Sequence, residues 1–120
     1  YAYELAVILR EGLKRMHDEQ ENIFYYITVM NENYKHPAIP KNCEKGILKG
    51  MYKIRSTDLP TLRLLGSGPL MKEVLEAADL LYQDWGIDAG IWCVTSFSEL
   101  RREAEEVERW NLLHPDSLCL

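Results

Sequence analysis

The chain has 120 residues, 14 of them Lys or Arg and 19 Asp or Glu, for a formal charge of −5 at pH 7. An apolar share of 47% with only seven glycines and five prolines excludes a disordered or collagenous chain and fits about one globular unit. The acidic balance has no compensating basic block, which argues against nucleic-acid binding through phosphates, and no apolar run approaches the roughly 20 residues of a membrane span. Cys43, Cys93 and Cys119 are an odd set without CxxC or Cys/His ligand spacing, so they predict reduced thiols in a cytoplasmic protein rather than a disulfide framework or zinc site. The opening Tyr1-Ala2-Tyr3-Glu4 has no pattern of a secretory signal.

A helical period is already running at the first residue: Leu5, Ile8, Leu9, Leu13 and Met16 share one face. That uncapped start, together with the loop-like end from Asn111 to Leu120, is expected of a piece of a longer protein. Ile23 to Met30, rich in aromatic and β-branched residues without alternation, predicts a strand buried on both faces. A polar loop with two prolines follows over Asn31 to Pro40, then a short helix over Cys43 to Tyr52 interrupted by Gly46 and Gly50. Ser56 to Pro60 is a turn-like break and the best internal boundary, dividing the chain into residues 1–55 and 56–120.

Beyond the break the pattern is strand, glycine turn, helix, strand, helix, which predicts an α/β fold with a parallel sheet. Thr61 to Leu65 is the first strand, and Gly66-Ser67-Gly68-Pro69 is a turn with Pro69 placed at a helix start. The helix from Pro69 to about Asp84 carries Leu70, Val74, Ala77, Ala78 and Leu81 on one face and closes at Gly86. Gly90 to Thr95 is the second strand. Ser96 stands three residues before Glu99, the spacing of a capping box, and opens a helix to about Trp110.

In open α/β sheets ligands gather beyond the carboxyl ends of strands, which points to the loop after Met30. Asn31, Glu32, Asn33, Tyr34, Lys35 and His36 are consecutive there, and a carboxylate and an imidazole four apart can act together in proton transfer or bind an anionic substrate. The same residues also suit a structural role, the asparagines serving turn backbone while Tyr34 and His36 pack against the next element. Gly66-Ser67-Gly68 lacks both the third glycine of a dinucleotide fingerprint and the Lys-Ser/Thr of a P-loop, which favours a structural turn. Thr95 to Ser98 reads as helix capping, Cys93 as a small core residue, and His17 and His114 have no sequence partner that would make either a base.

Six stretches in order carry a family resemblance: Tyr1-Ala2-Tyr3-Glu4-Leu5-Ala6-Val7-Ile8, Tyr25-Tyr26-Ile27-Thr28-Val29-Met30-Asn31-Glu32-Asn33-Tyr34, Gly46-Ile47-Leu48-Lys49-Gly50-Met51-Tyr52, Leu64-Leu65-Gly66-Ser67-Gly68, Val94-Thr95-Ser96-Phe97-Ser98-Glu99-Leu100 and Glu108-Arg109-Trp110-Asn111-Leu112-Leu113-His114-Pro115. Together they resemble the homodimeric bacterial pyruvate dehydrogenases, the decarboxylating first component of the pyruvate dehydrogenase complex. The resemblance implies a transketolase-like thiamine-diphosphate enzyme fragment, with residues 1–55 closing the pyrimidine-binding domain and residues 56–120 opening the carboxy-terminal domain. It implies thiamine diphosphate and a magnesium ion (Mg2+) as cofactors, pyruvate as substrate, and transfer of the acetyl unit to the lipoylated acyltransferase component.

The family's Asn-Glu-Asn-Tyr-x-His motif is intact over Asn31 to His36, so the resemblance assigns Glu32 and His36 to the active-site channel, for substrate positioning and proton handling. The metal-binding Gly-Asp-Gly motif and the glutamate that activates the aminopyrimidine have no counterpart in the chain, and the resemblance places them ahead of Tyr1. The chain alone is therefore expected to be inactive. Two rival readings are a stand-alone assembly or docking module without activity, which predicts a start codon near Tyr1, and a split subunit working with a separate partner chain.

Overall fold

The strand over Ala89–Val94 lies at the centre of the sheet and organises the rest. The computed structural model describes residues 1–57 and 62–116, in the order α1 (Ala2–Leu13), α2 (Glu44–Leu48), β1 (Met51–Arg55), β2 (Leu62–Gly66), α3 (Met71–Trp85), β3 (Ala89–Val94) and α4 (Phe97–Leu113). The three strands run in the order β1-β3-β2, with β2 parallel and β1 antiparallel to β3. Ala89, Gly90, Ile91, Cys93 and Val94 are all buried, as a strand with both faces covered requires. Around them Val7, Cys43, Ile47, Tyr52, Met71 and Ala78 complete the core.

The α/β expectation holds, and the β2–α3–β3 crossover is the parallel unit that the alternating pattern predicts. The sheet as a whole is mixed, because residues 51 and 52, assigned above to the end of a helix, open β1 instead. α2 stops at Leu48, and Gly50 turns the chain so that Met51 faces Val94 and Tyr52 faces Cys93 across the ladder. Tyr52 on the inward side and Lys53 on the outward side begin a period-two pattern too short to stand out in the sequence.

α3 starts as a 3₁₀ turn over Gly68–Leu70 with Pro69 in it, and ends at Gly86 with φ 66°. Its buried positions are Met71 and Ala78, with Val74 and Leu75 half-buried, whereas Leu70 of the predicted face is exposed. The 3₁₀ turn advances about 120° per residue instead of 100°, which rotates Leu70 off the face. At α4 the predicted cap is half made: Ser96 Oγ accepts from the Glu99 N–H at 3.2 Å, but the Glu99 carboxylate takes Arg102 at 2.7 Å.

Two expectations fail in the first half. On α1 the buried positions are Glu4, Val7 and Gly12, while Leu9 and Leu13 are exposed, as is Met16 in the wider π-helical turn Lys14–Asp18 that continues it. A buried carboxylate outweighs the apolar stripe because its hydrogen-bond partners stand on the sheet. The predicted strand over Ile23–Met30 is absent: no helix or strand occurs from 20 to 42, and Phe24 and Tyr26 are 88% and 87% exposed. A strand covered on both faces needs neighbouring strands that pair its N–H and C=O groups; among the described residues no strand does so, and the Ile23 N–H turns to the nearby Glu21 carbonyl at 3.0 Å. The radius of gyration is 17.1 Å, against about 14 Å for a compact chain of this length. Most of the break at Ser56–Pro60 and the strand start at Thr61 lie on 58–61, outside the described residues, as do Cys119 and most of the tail Asp116–Leu120.

Candidate functional site

The loop Asn31–His36 returns to the first turn of α1. The Ala2 N–H donates to His36 Nδ1 at 2.9 Å, satisfying one of the four N–H groups that a helix start leaves without a partner. The His36 ring stacks on Tyr34 with centroids 4.7 Å apart and planes 19° apart, and meets Tyr1 edge-on at 5.8 Å. Tyr1 in turn stacks on Tyr3 at 5.4 Å. His36 thus packs backwards onto α1, not forwards onto the next element. Glu32 is exposed and forms no hydrogen bond or ion pair with His36 or any other described residue. The loop also follows no paired strand, so the strand-end argument for it has no counterpart in this structure.

Behind the aromatic cluster lies a buried polar hub that the sequence reading missed. Glu4 is only 8% exposed, and its Oε1 accepts from Tyr52 Oη at 2.6 Å and from Cys93 Sγ at 3.0 Å. Its Oε2 takes the backbone nitrogen of Tyr1, the reach-back of a capping-box glutamate at the third helical position. Tyr52 has one hydroxyl proton and gives it to Glu4, so in the 2.5 Å contact between Tyr3 and Tyr52 the donor is Tyr3. The signal in the sequence was an ordinary first-turn glutamate; its partners lie 48 and 89 residues away.

Burial first, then the hydrogen bond to Glu4, pushes the Cys93 thiol up to about 12 from 9.0, and the same two causes in the same order raise Tyr52. Burial also pushes Tyr3 up to about 12. Because the folded value is the higher one, the protonated thiol's stabilisation is complete below pH 9 and is lost as pH rises towards 12. The urea midpoint is therefore expected to be flat up to about pH 9 and to fall above it, and the Cys93 thiol to resist disulfide reagents at neutral pH until the chain unfolds.

The other sequence candidates are structural. Ser67 Oγ donates to the Val94 carbonyl at 2.8 Å, and a Cβ at Gly66 would lie 2.7 Å from Met71 Sδ, so the glycine turn serves the approach of β2 to α3. His114 Nδ1 meets its own helix at the Trp110 carbonyl, and among the described residues the His17 ring meets neighbouring Asp18 while its carbonyl accepts from Gln20. Among the described residues, no group of three or more His, Cys, Asp or Glu could hold a metal ion, and no helix is long and apolar enough to cross a membrane.

The pyruvate dehydrogenase E1 component middle domain matches residues 1–37, and the transketolase-like C-terminal domain matches residues 50–117. The chain belongs to the transketolase-like family of pyruvate dehydrogenase E1 components. It is 58% identical over 118 residues to the pyruvate dehydrogenase E1 component of Pseudomonas aeruginosa, 52% over 119 residues to that of Cupriavidus necator and 50% over 118 residues to that of Escherichia coli K12. Each comparison covers 96% of this chain and 13% of the relative, so the chain spans about an eighth of the curated E1 components it matches. Within this E1 segment the Asn31–His36 loop closes the first matched region, and β1, β2, α3, β3 and α4 fall within the second.

Proposed function

We propose that this chain is the part of a pyruvate dehydrogenase E1 component that brings Glu32 and His36 to the active-site channel. The whole enzyme, in this reading, is a cytoplasmic homodimer that decarboxylates pyruvate and passes the acetyl unit to a lipoyl group on the acyltransferase component. The observation that carries the assignment is the placement of His36: an exposed imidazole with one nitrogen bound by Ala2 and the other bonded to no described residue, held by Tyr34 and Tyr1.

The family's thiamine diphosphate supplies the ylid and electron sink of such a reaction when bound. The described residues do not fit the metal and diphosphate end of that cofactor, since no ligand cluster converges and the Gly66–Gly68 turn is occupied by packing. We therefore assign the cofactor and Mg2+ to other parts of the protein and confine this chain to proton handling. His36 holds or delivers a proton at Nε2, and the exposed Glu32 carboxylate accepts a hydrogen bond from the substrate side. We draw the boundary between the two units ahead of β1, near residue 50 and not at 55/56, because β1 pairs with β3.

The test is pyruvate decarboxylation by the full-length protein with thiamine diphosphate and magnesium, comparing Glu32→Gln and His36→Ala with the parent. Each variant is expected to lose on the order of 10²-fold or more in rate while retaining cofactor affinity. Near-full rate in both variants overturns the assignment.

A further inference from the structure

We propose that the backbone amide of Ala2 is a positioning group: it fixes His36 in the tautomer that carries its proton on Nε2, so that Nε2 is the nitrogen presented to the substrate. A neutral imidazole has one N–H and one lone-pair nitrogen, and the partner of one nitrogen decides the role of the other. The Ala2 N–H can only donate. Its 2.9 Å contact with Nδ1 therefore leaves Nδ1 unprotonated and places the proton on Nε2. Stacking on Tyr34 and the edge contact with Tyr1 hold the ring plane, and within that plane the Ala2 hydrogen bond selects the orientation, because a half-turn about Cβ–Cγ would carry Nδ1 away from the amide.

The donor is itself fixed. Ala2 is the first residue of α1, and two residues later Glu4 ties that turn to Tyr52 on β1 and Cys93 on β3. The buried hub thus sets the position of the amide relative to the sheet, and the amide sets the histidine. This gives the carboxylate inside the fold a consequence at the exposed loop that neither feature has alone.

The catalytic meaning of this device rests on the proposed role of His36, but the tautomer does not, and the experiment separates them. Full-length protein is labelled with [15N]histidine, and the His36 signals are identified in solid-state 15N spectra by difference from His36→Gln. The parent is expected to show a protonated Nε2 and a bare Nδ1. Ala2→Pro removes the donor at the first helical position, where proline is tolerated, and Ala2→Gly keeps it. Ala2→Pro is expected to add Nδ1–H signal and to lower kcat roughly tenfold with KM unchanged, well short of the ~10⁴ found when a catalytic histidine is locked in the wrong tautomer. Ala2→Gly is expected to match the parent in both. A protonated Nδ1 in the parent, or an unchanged His36 spectrum in Ala2→Pro, overturns the inference. If the spectra behave as expected while His36→Ala keeps full rate, the tautomer assignment stands and the catalytic role of His36 falls.

Discussion

Replacing Gly50 by alanine is expected to destabilise the fold by about 3–5 kcal/mol, the sum of backbone strain and a steric clash. Gly50 has φ 96°, a conformation L side chains rarely adopt, and a Cβ built there would lie 2.5 Å from the Ser96 carbonyl oxygen. That neighbour is backbone and cannot swing aside. The Gly50 carbonyl also accepts from the Thr95 and Ser96 N–H groups at 2.8 and 3.2 Å, and Thr95 Oγ1 donates to the Ile47 carbonyl at 2.7 Å. Any shift that relieves the clash therefore loosens the joint between α2, β1 and the start of α4. The measurement is the urea midpoint at unchanged slope, and a variant within about 1 kcal/mol of the parent would show that the joint is not rigid.

Glu4→Ala is expected to cost about 3 kcal/mol, because a buried donor left without its acceptor forfeits about 1–3 kcal/mol and the removed side chain leaves a gap. Tyr52 is 3% and Cys93 1% exposed, so water does not replace the carboxylate at either. The hydroxyl accounts for most of the loss, since a thiol is a weak donor. Tyr52→Phe alone removes the donor, leaves Glu4 with its other partners and releases the half-buried Tyr3 hydroxyl from its acceptor, for an expected cost of about 1 kcal/mol. The double variant should cost less than the sum of the two, because it no longer buries an orphaned hydroxyl. Strict additivity in that cycle would mean that the 2.6 Å contact between Tyr52 and Glu4 carries no coupling energy.

Features closed within a few residues were legible in the chain as written. The Gly86 cap, the Ser96 cap on the Glu99 N–H, the proline at the start of α3 and the β2–α3–β3 unit all follow from backbone chemistry or periodicity inside one segment. The Asn31–His36 loop was also visible, as a run of functional side chains and through the family pattern, although the pairing of Glu32 with His36 suggested by their spacing does not form. By contrast, the antiparallel β1, the unpaired Ile23–Met30 arm, the inward face of α1 and the Glu4 hub depend on which distant segments meet. Hydropathy assigns Glu4 to water and Phe24 to a core, and both assignments reverse. Glu4 is buried because Tyr52 and Cys93 bring it hydrogen-bond donors, and Phe24 is exposed because no described strand pairs with its backbone. Periodicity reports what one segment prefers, whereas burial is settled by the partners that satisfy its polar groups, and those are fixed only when the chain closes on itself.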